Sequence, residues 1–321
     1  MKRLSIYMLA AGMAALSTSC SDFLDTVPKD QLAPSTTWQT EADAKGFIVG
    51  CYKDLLDGNT LLYLDCGSDI GYNNFPWEGF RPWGDGSLSS SNPGQILYDY
   101  KSIRKANTFL ENVDKVTFSS DAVKANYVAQ AKAIRAYKYF LMNWWYGGVP
   151  IVTKVQDPVE SSFVPRSTTK ACIEFICNDL DIAADMLRAK TTNGGWNGDN
   201  YGRVTTASAM ALKGRVLLLW ASPLFNRAND ESRWAAAYEY IKESIKDINA
   251  CGIHLYTTGN NINGSDFAKM FTVIQNPEMV FGTLHNMKQD DDTKKNNNWE
   301  RFIRPKNTTG QGLEASAMFV D

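Results

Sequence analysis

Apolar residues recur at helical spacing through most of the chain, and the recurrence breaks in only a few places. Thr40 with Asp43 resembles a capping box, and Ala44, Phe47 or Ile48, Cys51 and Leu55 then form one stripe before Gly58. Ile96, Tyr100, Ile103, Leu110 and Val113 predict a second helix. The third signal is the clearest. It starts after Ser119 or Ser120, runs through Val123, Tyr127, Ala131, Ile134, Leu141 and Trp145, and stops at Gly147-Gly148 and Pro150. That stripe predicts a core-facing helix with Trp144-Trp145 as packing. Ile173, Ile176, Leu180, Ala183 and Leu187 keep strict helical spacing in a fourth. A fifth, from about Thr206 to Ser222, is apolar on most sides, as a helix surrounded by other helices must be. Trp234, Tyr238, Ile241, Ile245 and Ile248 make a sixth that ends at Gly252. No strand-like alternation of useful length precedes residue 250, and Met279 to Leu284 is the best short strand candidate.

Six helices in succession predict a mainly α protein of stacked helical hairpins. The fifth and sixth, joined by a short turn after Pro223, look like one tetratricopeptide unit. No strict repeat is visible, so the array is degenerate. Three long segments interrupt it: Asp57 to Gly94, Thr191 to Arg203, and Lys288 to Gly312. Each is rich in Gly, Asn, Asp and aromatic residues. Loops of that length inside a domain are usually functional or disordered, and their tryptophans argue against disorder.

The chain opens differently. Lys2 and Arg3 precede an apolar run from Leu4 to Leu16, too short for the roughly 20 residues of a membrane-spanning helix. Ser17, Thr18 and Ser19 then lead to Cys20. A charged start, a short apolar centre and small residues describe an export signal. A cysteine directly after them marks a bacterial lipoprotein whose thiol takes a diacylglycerol. Such sites usually carry Leu where Ser17 stands; here it is one place earlier, at Leu16. A plain secretory signal with an incidental Cys is the alternative. Residues 1–19 are thus expected to be the signal peptide, 20–40 a lipid-anchored tether, and 41–321 one helical domain.

Composition narrows the chemistry. Basic residues number 33 against 35 acidic, for a net charge of −2, which excludes the basic field that a nucleic-acid binder needs. Two histidines leave little room for a metal centre or a His relay, and aromatic residues reach 12%. His254 and His285 read as structural, and Asp290-Asp291-Asp292 as a solvated turn without the spaced oxygens of a calcium loop. No metal and no cofactor are expected. Beyond Cys20 the cysteines are Cys51, Cys66, Cys172, Cys177 and Cys251. They form no C-x-x-C pair, Cys172 and Cys177 point about 140° apart on a helix, and a Cys51–Cys66 pairing is open. Buried free thiols are the expectation.

Several motifs together resemble the SusD/RagB family of Bacteroidetes outer-membrane lipoproteins. They are Cys20 with Ser21-Asp22-Phe23-Leu24-Asp25, Arg135-Ala136-Tyr137 with Tyr146-Gly147-Gly148-Val149-Pro150, and Gly202-Arg203-Val204-Thr205. Gly214-Arg215-Val216-Leu217 and Ser222-Pro223-Leu224-Phe225-Asn226 extend the likeness over essentially the whole chain. The resemblance implies a SusD-like helical fold with tetratricopeptide-like hairpins and long aromatic-rich loops. It implies a lipoprotein at the cell-surface face of the outer membrane, anchored by lipid on Cys20 and seated over a SusC-like TonB-dependent transporter. Such proteins capture glycans for import and are not enzymes. Members commonly run much longer, and this chain stops at Val320-Asp321 inside what resembles an internal motif, so a missing C-terminal part is expected.

Sugar capture needs flat aromatic faces for the C–H side of a pyranose and polar groups for its hydroxyls. The segment from Tyr72 through Asn73, Asn74, Phe75, Pro76 and Trp77 to Phe80, Arg81, Pro82 and Trp83 supplies both, with turns fixed by Pro and Gly. Tyr72, Asn73, Trp77 and Trp83 are the candidate glycan contacts there. Trp299, beside Asn296 to Asn298, Glu300 and Arg301, is a second platform, with Trp196 and Tyr201 behind it. Alternatively, these rings cover the core or a transporter contact. Two other functions remain open: a peptide-binding uptake lipoprotein of the same architecture, and a surface glycoside hydrolase using Glu78 and Asp85.

Overall fold

The computed structural model describes residues 38–53, 55, 64–73, 79–157, 163–188, 202–259, 264–273, 276–282 and 313–315. Cys20 and the tether up to residue 37, Trp77, Glu78, Trp196, Tyr201, His285, Asp290 to Asp292 and Trp299 lie outside them. The helices are α1 (Glu41–Tyr52), α2 (Arg81–Gly84), α3 (Tyr100–Asn112), α4 (Asp121–Tyr146), α5 (Thr169–Arg188), α6 (Thr206–Ala221), α7 (Glu231–Ala250) and α8 (Ser265–Met270). The protein is mainly α. Two short strands, β1 (Gly71–Asn73) and β2 (Leu313–Ala315), pair antiparallel with Gly71 opposite Ala315 and Asn73 opposite Leu313.

Local chemistry sets the helix ends. Thr40 and Asp43 form the expected capping box on α1, with the Asp43 carboxylate accepting from the Thr40 amide at 2.8 Å. Thr205 and Ser208 repeat the device on α6. Asp99 caps α3 by accepting from the Ser102 amide, so the helix starts there and not at Ile96, which is 60% exposed. Ser120 caps α4 and Asp230 caps α7. The strand expected from Met279 does not form over 279–282, and the only strands among the described residues are β1 and β2.

Each of α4 to α7 packs on the helix before it, and α4 also reaches α6, which is the contact pattern of stacked hairpins. α4 is the spine. One apolar cluster lies between α4, α5 and α6 around Tyr139, Met142, Ile176, Leu180, Leu187 and Val216. The other lies between α1, α3 and α4 around Ile48, Phe109, Val113 and Ile134. Ala129, Ala131, Ala133 and Ala136 are all buried, so α4 accepts neighbours on opposite sides without bulk. α7 departs from expectation. Its Trp234, Tyr238 and Ile245 face outward, because α7 docks through Ala237 and Ser244 together with Ile241 and Ile248, the other two residues of the expected stripe. Small side chains permit the closer approach; a Cβ on Gly214 of α6 would sit 3.0 Å from Ile241 Cγ1.

A charged lock crosses the first cluster. Arg135 holds Asp179 of α5 through Nε at 2.8 Å and Nη2 at 3.0 Å, while Lys132 Nζ adds a third contact at 3.0 Å. Arg135 Nη1 donates to Asn107 of α3 at 2.8 Å, and Asn107 Nδ2 donates to the Val152 carbonyl. Asp179 and Arg135 are both buried. Pairing at this depth is obligatory, since removing one partner leaves a buried charge. The five described cysteines beyond Cys20 are free thiols, four of them buried, and burial pushes Cys51 up to about 12.

Candidate functional site

The site is built on the last turn of α4. The Gly147 amide donates to the Asn143 carbonyl at 2.9 Å, and Gly147 ends the helix at φ +69. Gly148 lies so close to the Ser167 carbonyl that any side chain there would collide. The Arg166 guanidinium donates to the Tyr146 and Gly148 carbonyls and closes the turn from below. The approach to α3 is zipped to the same turn. The Leu97 amide donates to the Tyr146 hydroxyl at 2.8 Å, Tyr98 stacks on the Tyr146 ring at 4.1 Å with 7° between planes, and the Tyr100 hydroxyl donates to the Pro150 carbonyl.

The aromatic-rich segment joins the site through Trp83. Its ring sits 5.1 Å from that of Phe80 and 4.9 Å from that of Trp145. Two glycines make room: a Cβ on Gly67 would lie 2.9 Å from Trp83 Cε3, and one on Gly94 would lie 2.5 Å from Nε1. Gly94 is also at φ +66, which a side chain would resist. Trp83 is therefore a half-buried wedge with part of its ring at the surface. Tyr72, half-buried on β1, lies beneath the Arg81 guanidinium at 4.7 Å. Asn73 is buried at 1% exposure, and its carbonyl accepts from Arg81 at 3.1 Å. The Asn73 side chain is thus enclosed at the end of β1. Asp85 is held below the usual carboxylate range by hydrogen bonds from Ser87 and Arg81. A general acid needs the opposite shift.

Trp144 and Trp145, expected as packing, are 39% and 38% exposed. They lie in the last turn of α4, where fewer neighbouring elements cover the helix than around the buried Tyr139 and Phe140 one turn earlier. From Trp83 the rings continue through Trp145 to Trp144 at 6.1 Å and to Phe140 at 5.9 Å. They lead into a cavity of about 600 Å³ between α4 and α6, bordered by residues 278–281. Tyr137, Phe140, Trp144, Trp145 and Leu212 line it, and Arg215 and Glu278 are its charged groups. Arg215 reaches over the Phe140 ring at 5.9 Å. Burial raises the Tyr137 hydroxyl against the opposing pull of Arg215, so that group stays a neutral donor. Glu278 accepts from the Tyr256 amide at 2.7 Å. Tyr98, 47% exposed on its Tyr146 support, is a further surface ring that periodicity did not single out. Among the described residues no group of three His, Cys, Asp or Glu side chains could hold a metal ion.

The comparisons with known proteins are consistent with this fold. Residues 22–218 match the SusD-like family described as "Starch-binding associating with outer membrane". The chain belongs to the SusD/RagB family of Bacteroidetes. A SusD-like protein of Formosa agariphila is 28% identical over 183 residues, which is 51% of this chain and 34% of that protein. A SusD-like protein from Bacteroides fragilis superposes with a TM-score of 0.65 at 24% identity, covering 82% of this chain and 48% of the other. A laminarin-binding SusD-like protein matches with a TM-score of 0.51 at 24% identity, over 60% of this chain and 43% of the other. This SusD-like chain thus spans about a third to a half of the length of these relatives.

Proposed function

We propose that this SusD-like chain is a cell-surface glycan-binding lipoprotein of the outer membrane. In this reading it is lipidated at Cys20 and captures oligo- or polysaccharide for import through a SusC-like TonB-dependent transporter. The family match over residues 22–218 carries the reading, because that family is described as starch-binding and outer-membrane-associated. One solved SusD-like relative is laminarin-binding and another carbohydrate-binding, and no catalytic residue, metal or cofactor enters the proposal. Tyr72, Asn73, Trp77 and Trp83 form the platform in this proposal, with Trp299 as a second contact. The chain's own portion of the fold supplies exposed rings on rigid backbone, which reduces the ordering cost of stacking a sugar.

Calorimetry on the chain from Ser21 onward, with soluble starch, laminarin and a casein-peptide mixture, tests the ligand class. Saturable binding to either glucan with none to peptides is expected; binding to peptides alone sinks the glycan reading. The anchor is tested separately. Cys20→Ala should release the protein from membranes or stall its processing, since a multiply acylated Cys holds where a single chain does not. Retention of the variant in membranes, with no lipid on the wild-type mature mass, would overturn it. The helical face is the proposed transporter contact, and an integral β-barrel should co-purify in mild detergent. Its consistent absence would count against the partnership.

A further inference from the structure

We infer that the cavity between α4 and α6 is an inner saccharide subsite, continuous with the Trp83 ring, through which the protein senses glycan length. This rests on the glycan reading above and goes beyond it by placing a second binding region on the helical scaffold. Three observations carry it. The first is continuity: rings at 4.9, 6.1 and 5.9 Å run from Trp83 through Trp145 and Trp144 to Phe140, from the platform to the cavity wall. Trp144 and Trp145 are each more than a third exposed and Trp83 is half-buried, so a sugar chain lying over them meets aromatic surface, while the buried Phe140 closes the path at the cavity wall.

The second is size and lining. About 600 Å³ falls within the range of small-molecule sites, and the wall is mostly apolar, with aromatic rings from α4 and a few polar groups converging on it. The third is charge. Arg215 and Glu278 bring one positive and one negative group to the same cavity, and the neutral Tyr137 hydroxyl adds a donor and acceptor. A neutral polyol satisfies such a set with its hydroxyls while its C–H faces meet the rings. A strongly charged ligand would be repelled by one of the two charges. The last turn of α4 is fixed through Gly147, Gly148 and Arg166, so Trp144 and Trp145 hold their places without a ligand.

The experiment compares short and long members of two glucan series, maltotriose with maltoheptaose and laminaribiose with laminarihexaose. Three forms of the chain from Ser21 onward are used: wild type, Ala211→Phe, which fills the cavity, and Arg215→Ala, at an exposed position. Wild type should bind the longer member about tenfold tighter in at least one series. Both variants should bring that ratio close to one, with the short oligosaccharide moving less than twofold and helix content unchanged by circular dichroism. A ratio that survives in Ala211→Phe, or short and long binding lost together, overturns the inference while leaving the glycan reading intact. No binding of any glucan by wild type, with peptide binding blocked by Ala211→Phe, overturns both and makes the cavity a peptide groove. Should Ala211→Phe lose helix content, Arg215→Ala decides alone, and an unchanged ratio in it overturns the inference.

Discussion

Helix α4 presents two different surfaces along one element. From Asn126 to Tyr139 several polar side chains are buried and paired: Gln130 to Asn126 and Tyr52, Arg135 to Asp179 and Asn107, Tyr139 to Val152. From Trp144 to Tyr146 it ends in rings that reach the surface, with Trp144 and Trp145 each more than a third exposed. The first part is held by its side chains; the last turn is held by its backbone, through Gly147, Gly148 and Arg166. A turn fixed by its backbone leaves its side chains free to serve a ligand. That is how a rigid scaffold and a binding surface can share one helix.

The contrast is easiest to break at the buried lock. Asp179→Ala should cost about 3–5 kcal/mol, because it strands Arg135 and Lys132 in the core, whereas Trp144→Ala should cost about 1 kcal/mol. Urea denaturation followed by circular dichroism measures both, and equal losses would erase the distinction. Next comes the wedge between the regions. Trp83→Ala should weaken glucan binding by about five- to thirtyfold and also destabilise the fold by about 1–3 kcal/mol, because it empties the space beside Gly67 and Gly94. Trp77→Ala should show a binding loss of the same size. If Trp83→Ala lowers stability and leaves affinity untouched, the ring belongs only to the core.

Gly94→Ala sharpens the comparison without removing a ring. At φ +66 and against the Trp83 indole, an alanine should cost about 1–3 kcal/mol and shift the tryptophan emission, with calorimetry reporting a weaker platform. The smallest effect is acid sensitivity at Asp99. Burial raises its pKa, but hydrogen bonds from Lys138 and Ser102 outweigh that and hold it low. A carboxylate lowered in this way contributes its full stability above the ordinary aspartate range, near about pH 4. That contribution is lost as pH falls through the depressed value. Lys138→Met should flatten this part of the acid unfolding curve, and an unaltered curve would show that the pair adds nothing.

Much of the scaffold was legible in the sequence. The stripes of α1, α4, α5 and α6 recur at the right spacing, and Thr40, Ser120, Thr205 and Gly147 cap where their chemistry requires. Less of the site was legible. The aromatic loop stood out by composition, but composition could not separate Trp83, wedged into place, from a fully exposed ring. It also could not tell that Asn73 turns into the fold. On α7 the apolar stripe of Trp234, Tyr238, Ile241, Ile245 and Ile248 pointed inward by periodicity, yet only Ile241 and Ile248 do so, together with Ala237 and Ser244. Periodicity ranks faces by hydrophobicity, whereas docking is ranked by how closely two backbones can approach.

The sequence by itself determined the six long helices, most of their ends and the family, because propensity, capping and apolar spacing are local properties of neighbouring residues. Which aromatic side chains reach the surface, and the way Trp83, Trp145, Trp144 and Phe140 join into one path beside a cavity, was decided only by tertiary structure. Residues 83 and 145 are brought to 4.9 Å by the way the 79–98 segment is pinned to the end of α4. No local rule carries information across that separation; long-range packing does.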